Sequence, residues 1–218
     1  MGLDSTTAWI ILVVSGILLA GLLIFLLLPK EDVQWITANG VRIQSIPKDA
    51  NIVYVNNSME KRVAELYKSG KLLAFRGESI GGGIDTVTAR DKAKINAFKE
   101  LSEYFTARVH TFATLVEGQL QSVTGQNAQQ VKSVALDAYK RVTQLFSDAQ
   151  VSGAYIYAIW EERVGALVYT YVLLVFDPAG AIEALKQNEE ISKQIEELGK
   201  SGVDFFKALN AVIEEAQK

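Results

Sequence analysis

An uncharged apolar run over residues 8–28 constrains this chain more than any other feature. As a helix that rises about 1.5 Å per residue, the run spans roughly 30 Å, the thickness of the hydrocarbon core of a bilayer. A cleaved signal peptide would have a shorter apolar core behind a basic flank, and no Lys or Arg precedes this run. The sequence therefore predicts a transmembrane anchor within residues 1–30 and membrane lipid as a partner.

The anchor has three residues of interest. Trp9 lies near one end, where an indole ring prefers the membrane interface. Gly16 and Ala20 form a small-xxx-small step that lets two helices approach closely, although such residues are also common in membrane helices generally. We interpret all three as anchor residues.

The side of the membrane that holds the rest of the chain is poorly constrained by charge. Lys30, Arg42 and Lys48 follow the run, and counting them under the positive-inside rule weakly favours the cytoplasm. The chain has no cysteine, which excludes disulfides, thiolate metal sites and a lipidated N-terminal cysteine but fits either compartment.

The overall charge argues against a nucleic-acid partner. The chain carries 22 basic and 25 acidic side chains, and a nucleic-acid surface needs an excess of basic ones. The length beyond the anchor suits one ordinary domain with an appendage.

The segment 31–71 is predicted to hold a hairpin, a strand and a helix. Asn39-Gly40 supplies the positive φ angles of a type I′ turn within a hairpin over residues 33–46. A short strand over 52–55 precedes a helix that begins near Asn57 or Ser58 and ends at Gly70.

The segment 72–177 is predicted to be the main α+β domain. A strand over 72–75 leads into Gly81-Gly82-Gly83. One helix covers 86–105, where alanines recur every four residues and let the helix lie close to a sheet, and another begins near Asn127. The β-branched and aromatic stretch 108–117 between them indicates a strand.

The clearest β structure is a pair of strands over 151–163 and 167–176 around a turn at 164–166. Both are apolar on two faces, which is typical of strands in the middle of a sheet or beneath another subunit. The fold class is therefore α+β, an antiparallel sheet with packed helices. Aromatic residues are enriched at protein interfaces, so we select five as candidate assembly contacts: Tyr155, Tyr157, Trp160, Tyr169 and Tyr171.

The segment 178–218 is predicted to be a helical tail with a heptad pattern. Apolar residues recur in steps of three and four along this segment and form an apolar seam, in which Gly202 occupies the one position without an apolar side chain. Gly199 and Gly202 both weaken the helix, because glycine has a low helix propensity. The seam packs either on its own domain or against another helix, and the count of heptads does not decide between them. Its apolar members, candidate contacts in the second case, are Ile191, Ile195, Leu198, Phe205, Leu209, Val212 and Ala216.

No residue pattern indicates an enzyme, a cofactor or a metal centre. His110 stands alone and is expected to be structural, since no second His or Cys completes a site. Glu161 and Glu162 are neighbours on a strand and so point to opposite faces. Gly81-Gly82-Gly83 lacks the partners of a phosphate-binding loop, and a turn into a helix capped by Asp85 or Thr86 explains it.

The stretch from Leu73 to about Asp177 resembles the bacterial twenty-kilodalton lipoprotein family, which includes the lipoprotein of the flagellar basal disk. The resemblance rests on Phe-Arg-Gly-Glu-Ser-Ile-Gly-Gly-Gly, then Thr-Ala-Arg-Asp-Lys-Ala-Lys-Ile-Asn-Ala-Phe-Lys-Glu-Leu, then a second helix and a closing strand pair. It implies an envelope-associated domain outside the cytoplasm, without catalysis, whose relatives assemble into rings or disks. This chain departs from the family in having an anchor in place of a lipidated cysteine.

Two functions follow as expectations. The first is a non-enzymatic, membrane-anchored structural protein of the cell envelope that assembles with itself into a ring, cage or filament. The second is a monomeric accessory subunit whose C-terminal helix grips another membrane or envelope protein. Following the family, we place the domain in the periplasm or at the cell surface, although the charge count favours the cytoplasmic side.

Overall fold

The computed structural model describes residues 32–82, 85–120, 126–147 and 153–215. The predicted anchor, with Trp9, Gly16 and Ala20, lies outside these residues, as does Ala216. Within them, no helix is both long and apolar enough to cross a membrane. By its contacts the chain divides into two units, Met1–Gln34 and Trp35–Lys218.

The described elements form an α+β fold, as predicted, with antiparallel sheets and packed helices. The strands are β1 (Val33–Ala38), β2 (Val41–Pro47), β3 (Asn51–Val55), β4 (Leu73–Gly82), β5 (Ala154–Val164) and β6 (Leu167–Phe176). The helices are α1 (Glu60–Lys68), α2 (Thr86–Thr106), α3 (Val109–Gln119), α4 (Gln126–Ser147), α5 (Pro178–Gln187), α6 (Glu189–Lys200) and α7 (Phe205–Glu215).

The main sheet has four strands in the order β3-β5-β6-β4, and every described pairing is antiparallel. The doubly apolar strands β5 and β6 occupy its centre, as their sequence predicts. β3 comes from the segment 31–71 and β5 from the segment 72–177, so the two predicted segments share one sheet. A separate two-stranded sheet pairs β1 with β2. Asn39 (φ 46°) and Gly40 (φ 77°) form the predicted turn between them.

Helix α2 lies against one face of the sheet at close range. Its buried stripe includes Ala89, Ala93 and Ala97, as the alanine spacing predicts. Opposite them on β4 stands Gly77, where a Cβ atom would lie 2.9 Å from Cα of Ala97 and would overlap the carbonyl oxygen of Ala93. Glycine is required here because helix and strand backbones approach without room for a side chain. Helices α3 to α7 complete this helical layer around a core that includes Phe105, Phe112 and Phe176.

The opposite face of the sheet carries a smaller cover. Ile36, Ala38 and Ile46 from β1 and β2, with Val63 and Leu66 from α1, pack onto buried residues of β5 and β6. The Tyr157 hydroxyl donates a hydrogen bond of 2.6 Å to the carbonyl of Thr37, which joins the cover to the sheet. We call this side the hairpin face.

Three sequence predictions need correction. The stretch 108–117 is not a strand but the body of α3, because its apolar residues Phe112 and Val116 are four apart and both enter the core. The strand predicted over 72–75 extends to Gly82. The tail is not one helix but three, broken at Asn188, which caps α6, and at Gly202, which has φ +87° and ends α6.

Candidate assembly surface

Alternate residues of β6 face opposite sides of the sheet. Val172 and Leu174 enter the helical core, whereas Leu173 and Val175 lie under the cover on the hairpin face. Tyr171 and Tyr169 continue the second set toward the β5–β6 turn, since side chains two apart on a strand share a face. The hairpin face therefore runs from a buried end near Val175 to the turn.

The cover on the hairpin face stops short of the β5–β6 turn. The register places Ile80 beside Tyr169, and Leu167 beside Val164. The exposed fractions are 59% for Ile80, 61% for Val164 and 44% for Leu167, and Tyr169 is half-buried. We call these four residues the open end of the sheet. Apolar side chains grouped in this way, next to one another in the register, are typical of a surface that contacts another molecule.

A stacked aromatic pair marks the boundary between the covered part and the open end. The rings of Trp160 and Tyr171 lie 5.2 Å apart and nearly parallel, and the Trp160 indole N–H donates to Glu162 at 3.1 Å. Burial, followed by the negative charges of Glu162 and Glu78, raises the pKa of the Tyr171 phenol above its usual value. Tyr171 therefore stays neutral, and its ring is held in place by neighbours on two strands.

Strand β4 forms one edge of the sheet, and no described strand pairs with its outer side. Helix α2 satisfies part of that side, because the Asn96 side-chain amide donates to the carbonyl oxygen of Glu78 at 2.7 Å. Along the strand, Leu73, Gly77 and Ser79 are buried, whereas Ala74, Arg76, Glu78 and Ile80 are exposed. The Arg76 guanidinium lies 5.6 Å from the centre of the Tyr171 ring. An uncovered strand edge is a template for further strand pairing.

The five aromatic residues predicted as assembly contacts have different environments. Tyr157 and Trp160 are buried, so they belong to the core of the hairpin face. Burial raises the pKa of Tyr157 to about 12. Tyr155, Tyr169 and Tyr171 are half-buried, and of these Tyr169 and Tyr171 lie at or beside the open end. Cores use aromatic residues as interfaces do, which is why the sequence alone could not separate the two groups.

The heptad seam of the tail packs within the chain itself. Its described members all join the helical core: Ile191, Ile195, Leu198, Phe205, Leu209 and Val212. The Phe205 ring, for example, packs edge-on against Phe112 of α3 at 5.2 Å. Of the two alternatives that the sequence left open, the structure agrees with a tail docked on its own domain.

The strand predicted from the sequence ends at Phe75, so the prediction leaves out the part of β4 that forms this edge. A signal was present: small residues at Gly77, Ser79 and Gly81 alternate with larger ones at Arg76, Glu78 and Ile80. That alternation has the period of two expected for a strand with one face pressed on a helix.

The described residues also place charged side chains in a cleft and at a helix cap. A cleft of about 390 Å³ lies between α1, the start of α5 and α7, and is lined by charged residues that include Arg62, Asp177 and Glu214. No group of three or more His, Asp or Glu side chains among the described residues is placed to hold a metal ion. His110 is exposed on α3, and Asp85 caps α2 by accepting from the Thr88 N–H at 3.1 Å.

Comparisons with protein-family models, with curated proteins and with solved structures find no match to this chain. The resemblance to the twenty-kilodalton lipoprotein family therefore stays a prediction from the sequence. The open end and the β4 edge are the structural features that bear on function.

Proposed function

We propose that this protein is a non-enzymatic, membrane-anchored structural protein that assembles with copies of itself at the cell envelope. The observation that carries the proposal is the open end of the sheet. There Ile80, Val164 and Leu167 leave apolar surface exposed beside Tyr169, whereas Trp160, Leu173 and Val175 farther along β5 and β6 are covered. Contact with a second protein surface removes these apolar side chains from water, which makes the free energy of association more favourable.

The anchor predicted over residues 8–28 strengthens weak contacts between copies. Chains held in one membrane plane have a high effective concentration, so a small interface is enough for assembly. We propose that the domain lies outside the cytoplasm, on the basis of the family resemblance. The assembly is a ring, cage or filament, since these are the forms that repeated contacts between identical copies produce.

The alternative function, an accessory subunit that grips another protein through its tail, requires a free apolar seam. The described seam residues, from Ile191 to Val212, are buried within the chain. A partner helix would have to displace α6 and α7 from the core to reach them. This arrangement supports self-assembly through the sheet over partner capture by the tail.

The proposal is tested on the full-length protein extracted in a mild detergent. Light scattering gives the mass, and negative-stain images of the same fraction give the shape. We expect a discrete oligomer. The double variant Val164→Asp, Leu167→Asp places charges on the open end and is expected to shift the mass toward the single chain, because buried unpaired carboxylates oppose association.

A matched control is Val87→Asp, Ile95→Asp. These side chains are each 66% exposed and lie on α2, away from the hairpin face. The control variant should keep the mass of the parent protein. A parent protein that runs as a single chain in detergent at all concentrations would overturn the proposal.

A further inference from the structure

The outer side of strand β4 carries backbone groups that no described strand pairs with. Glu78 lies opposite Tyr171 of β6, yet its carbonyl oxygen accepts from Asn96 of α2 rather than from β6. In an antiparallel ladder the backbone groups of successive residues point alternately to the two sides. The groups of Ala74, Arg76, Glu78 and Ile80 therefore point away from β6, and the side chains of the same residues are exposed.

The sequence of this edge is complementary to itself when two copies run antiparallel. If the two-fold axis passes Gly77, Arg76 of each copy lies directly opposite Glu78 of the other, and Ala74 lies opposite Ile80. Each of these residues has outward-pointing backbone groups, so each opposed pair forms two backbone hydrogen bonds. Opposite charges directly across an antiparallel pair are stabilising.

Other registers are worse. If the axis moves by one residue, the same outward-pointing backbone groups still form the hydrogen bonds. An axis at residue 76 then places Arg76 opposite Arg76, and an axis at residue 78 places Glu78 opposite Glu78. Like charges directly opposite one another are destabilising. The Gly77 register also pairs residues 73–81 of each copy, which is nearly the whole of β4. Charge therefore selects the Gly77 register over the two neighbouring ones.

We infer that two copies of this chain join edge to edge through β4, in antiparallel register about Gly77, with Arg76 of each copy paired to Glu78 of the other. The two four-stranded sheets become one continuous sheet of eight strands. Asn96 satisfies the Glu78 carbonyl while the chain is alone, and the backbone N–H of Arg76 in the second copy replaces it on pairing. This inference rests on the proposed self-assembly and names the contact that begins it.

Charge reversal tests the register. In the Gly77 register, position 76 of each copy faces position 78 of the other, so the contact occurs twice. Arg76→Glu places two carboxylates opposite one another at both of these contacts, and Glu78→Arg places two guanidinium groups there. In full-length protein in mild detergent, each single variant is expected to lose the mass of the parent protein. An equimolar mixture of the two variants is expected to regain it, because each Glu of one variant then faces an Arg of the other. The double variant Arg76→Glu, Glu78→Arg should also pair with itself.

The matched controls are Lys140→Glu and Asp137→Lys, which change charge by the same amounts at an exposed ion pair on α4. Both should keep the parent mass, and circular dichroism should show every variant folded. If the parent is oligomeric and the single variants keep the parent mass, or if the mixture does not regain that mass, the β4 contact is wrong and self-assembly stands. If the parent protein is itself a single chain, both the β4 contact and the proposed self-assembly are wrong.

Discussion

Arg62 and Asp177 form a two-point ion pair that joins α1 to the end of β6. The guanidinium Nε lies 2.7 Å from one carboxylate oxygen and Nη2 lies 2.7 Å from the other. The Asp177 side chain is only 8% exposed, and the same carboxylate caps α5 by accepting from the Ala179 N–H. One buried carboxylate thus connects the cover of the hairpin face, the end of β6 and the first turn of the tail.

This pair should make the stability of the domain depend on pH in acid. Burial acts to raise the pKa of Asp177, but hydrogen bonds from Arg62 and from the N–H groups of Gly180 and Ala179 leave it below the ordinary value of 3.8. A lowered folded-state pKa contributes stability above about pH 4 that is lost as the pH falls through the folded value. Asp177→Asn should cost about 1–3 kcal/mol at neutral pH and flatten the acid dependence, measured by urea unfolding at several pH values.

Arg62→Met provides the complementary measurement. Without the guanidinium, burial dominates and the pKa of Asp177 rises, so the variant should be destabilised at neutral pH and recover part of the loss in acid. Lys140→Met removes an exposed cation and should change stability by less than about 0.5 kcal/mol. An Arg62→Met variant with the acid profile of the parent would contradict the role of this pair.

Gly77→Ala should be among the most damaging single-methyl changes in the domain. The added Cβ would overlap backbone atoms of Ala93 and Ala97, which no rotamer change can relieve. Because α2 must move away from β4, we expect a loss of about 3 kcal/mol in the free energy of unfolding. The control is Gly118→Ala on α3, where a Cβ meets nothing within 4 Å, and a gain of about 0.5–1 kcal/mol is expected from helix propensity. Equal effects at the two positions would show that the close approach is not needed.

Gly199 and Gly202 should respond to alanine with opposite signs. Gly199 lies inside α6 with open space around its Cβ position, so Gly199→Ala should stabilise the chain by about 1 kcal/mol. Gly202 has φ +87°, a conformation that L-residues adopt at a cost, and Gly202→Ala should destabilise by about 1 kcal/mol. Urea unfolding of the two variants side by side tests the difference. A stabilising Gly202→Ala would mean that the tail continues through this point as one helix.

Thr170→Val should stabilise the domain. The Thr170 hydroxyl is buried between the sheet and the helical layer and has no hydrogen-bond partner among the described residues. Burying an unpaired hydroxyl is unfavourable, so replacing it with a methyl group should gain about 1 kcal/mol in thermal or urea unfolding. Tyr139→Phe is the contrasting change, because the Tyr139 hydroxyl donates to the carbonyl of Phe105 at 2.8 Å, and its loss should cost about 1 kcal/mol. Destabilisation by Thr170→Val would point to a partner for that hydroxyl.

The parts of the fold that local chemistry determines could be predicted from the sequence. Asn39-Gly40 accepts the positive φ angles of its turn, and the alanines of α2 allow the contact that Gly77 completes. The doubly apolar β5 and β6 had to be central. Each of these features follows from residues close together in the chain.

The rest depended on packing between distant residues. Residues 108–117 have the composition of a strand, yet they form α3. They do so because the Phe112 ring packs against Tyr139 and Phe205 in the helical core. The seam of the tail continues across the break at Gly202 because α6 and α7 bury their apolar faces in one core. The open end could not be predicted from the sequence, because it also depends on packing between distant residues. Tyr157 is buried and Tyr169 is only half-buried, and this difference depends on how far β1, β2 and α1 extend over the sheet.

The order of strands in the sheet has a consequence for how the chain is made. The two outer strands, β3 and β4, come first in the sequence, and the central hairpin of β5 and β6 comes last. Leu73 pairs with Phe176 across the whole of α2, α3 and α4. During synthesis, β3 and β4 must therefore wait without partners until the hairpin emerges, which makes folding slow and leaves strand edges exposed.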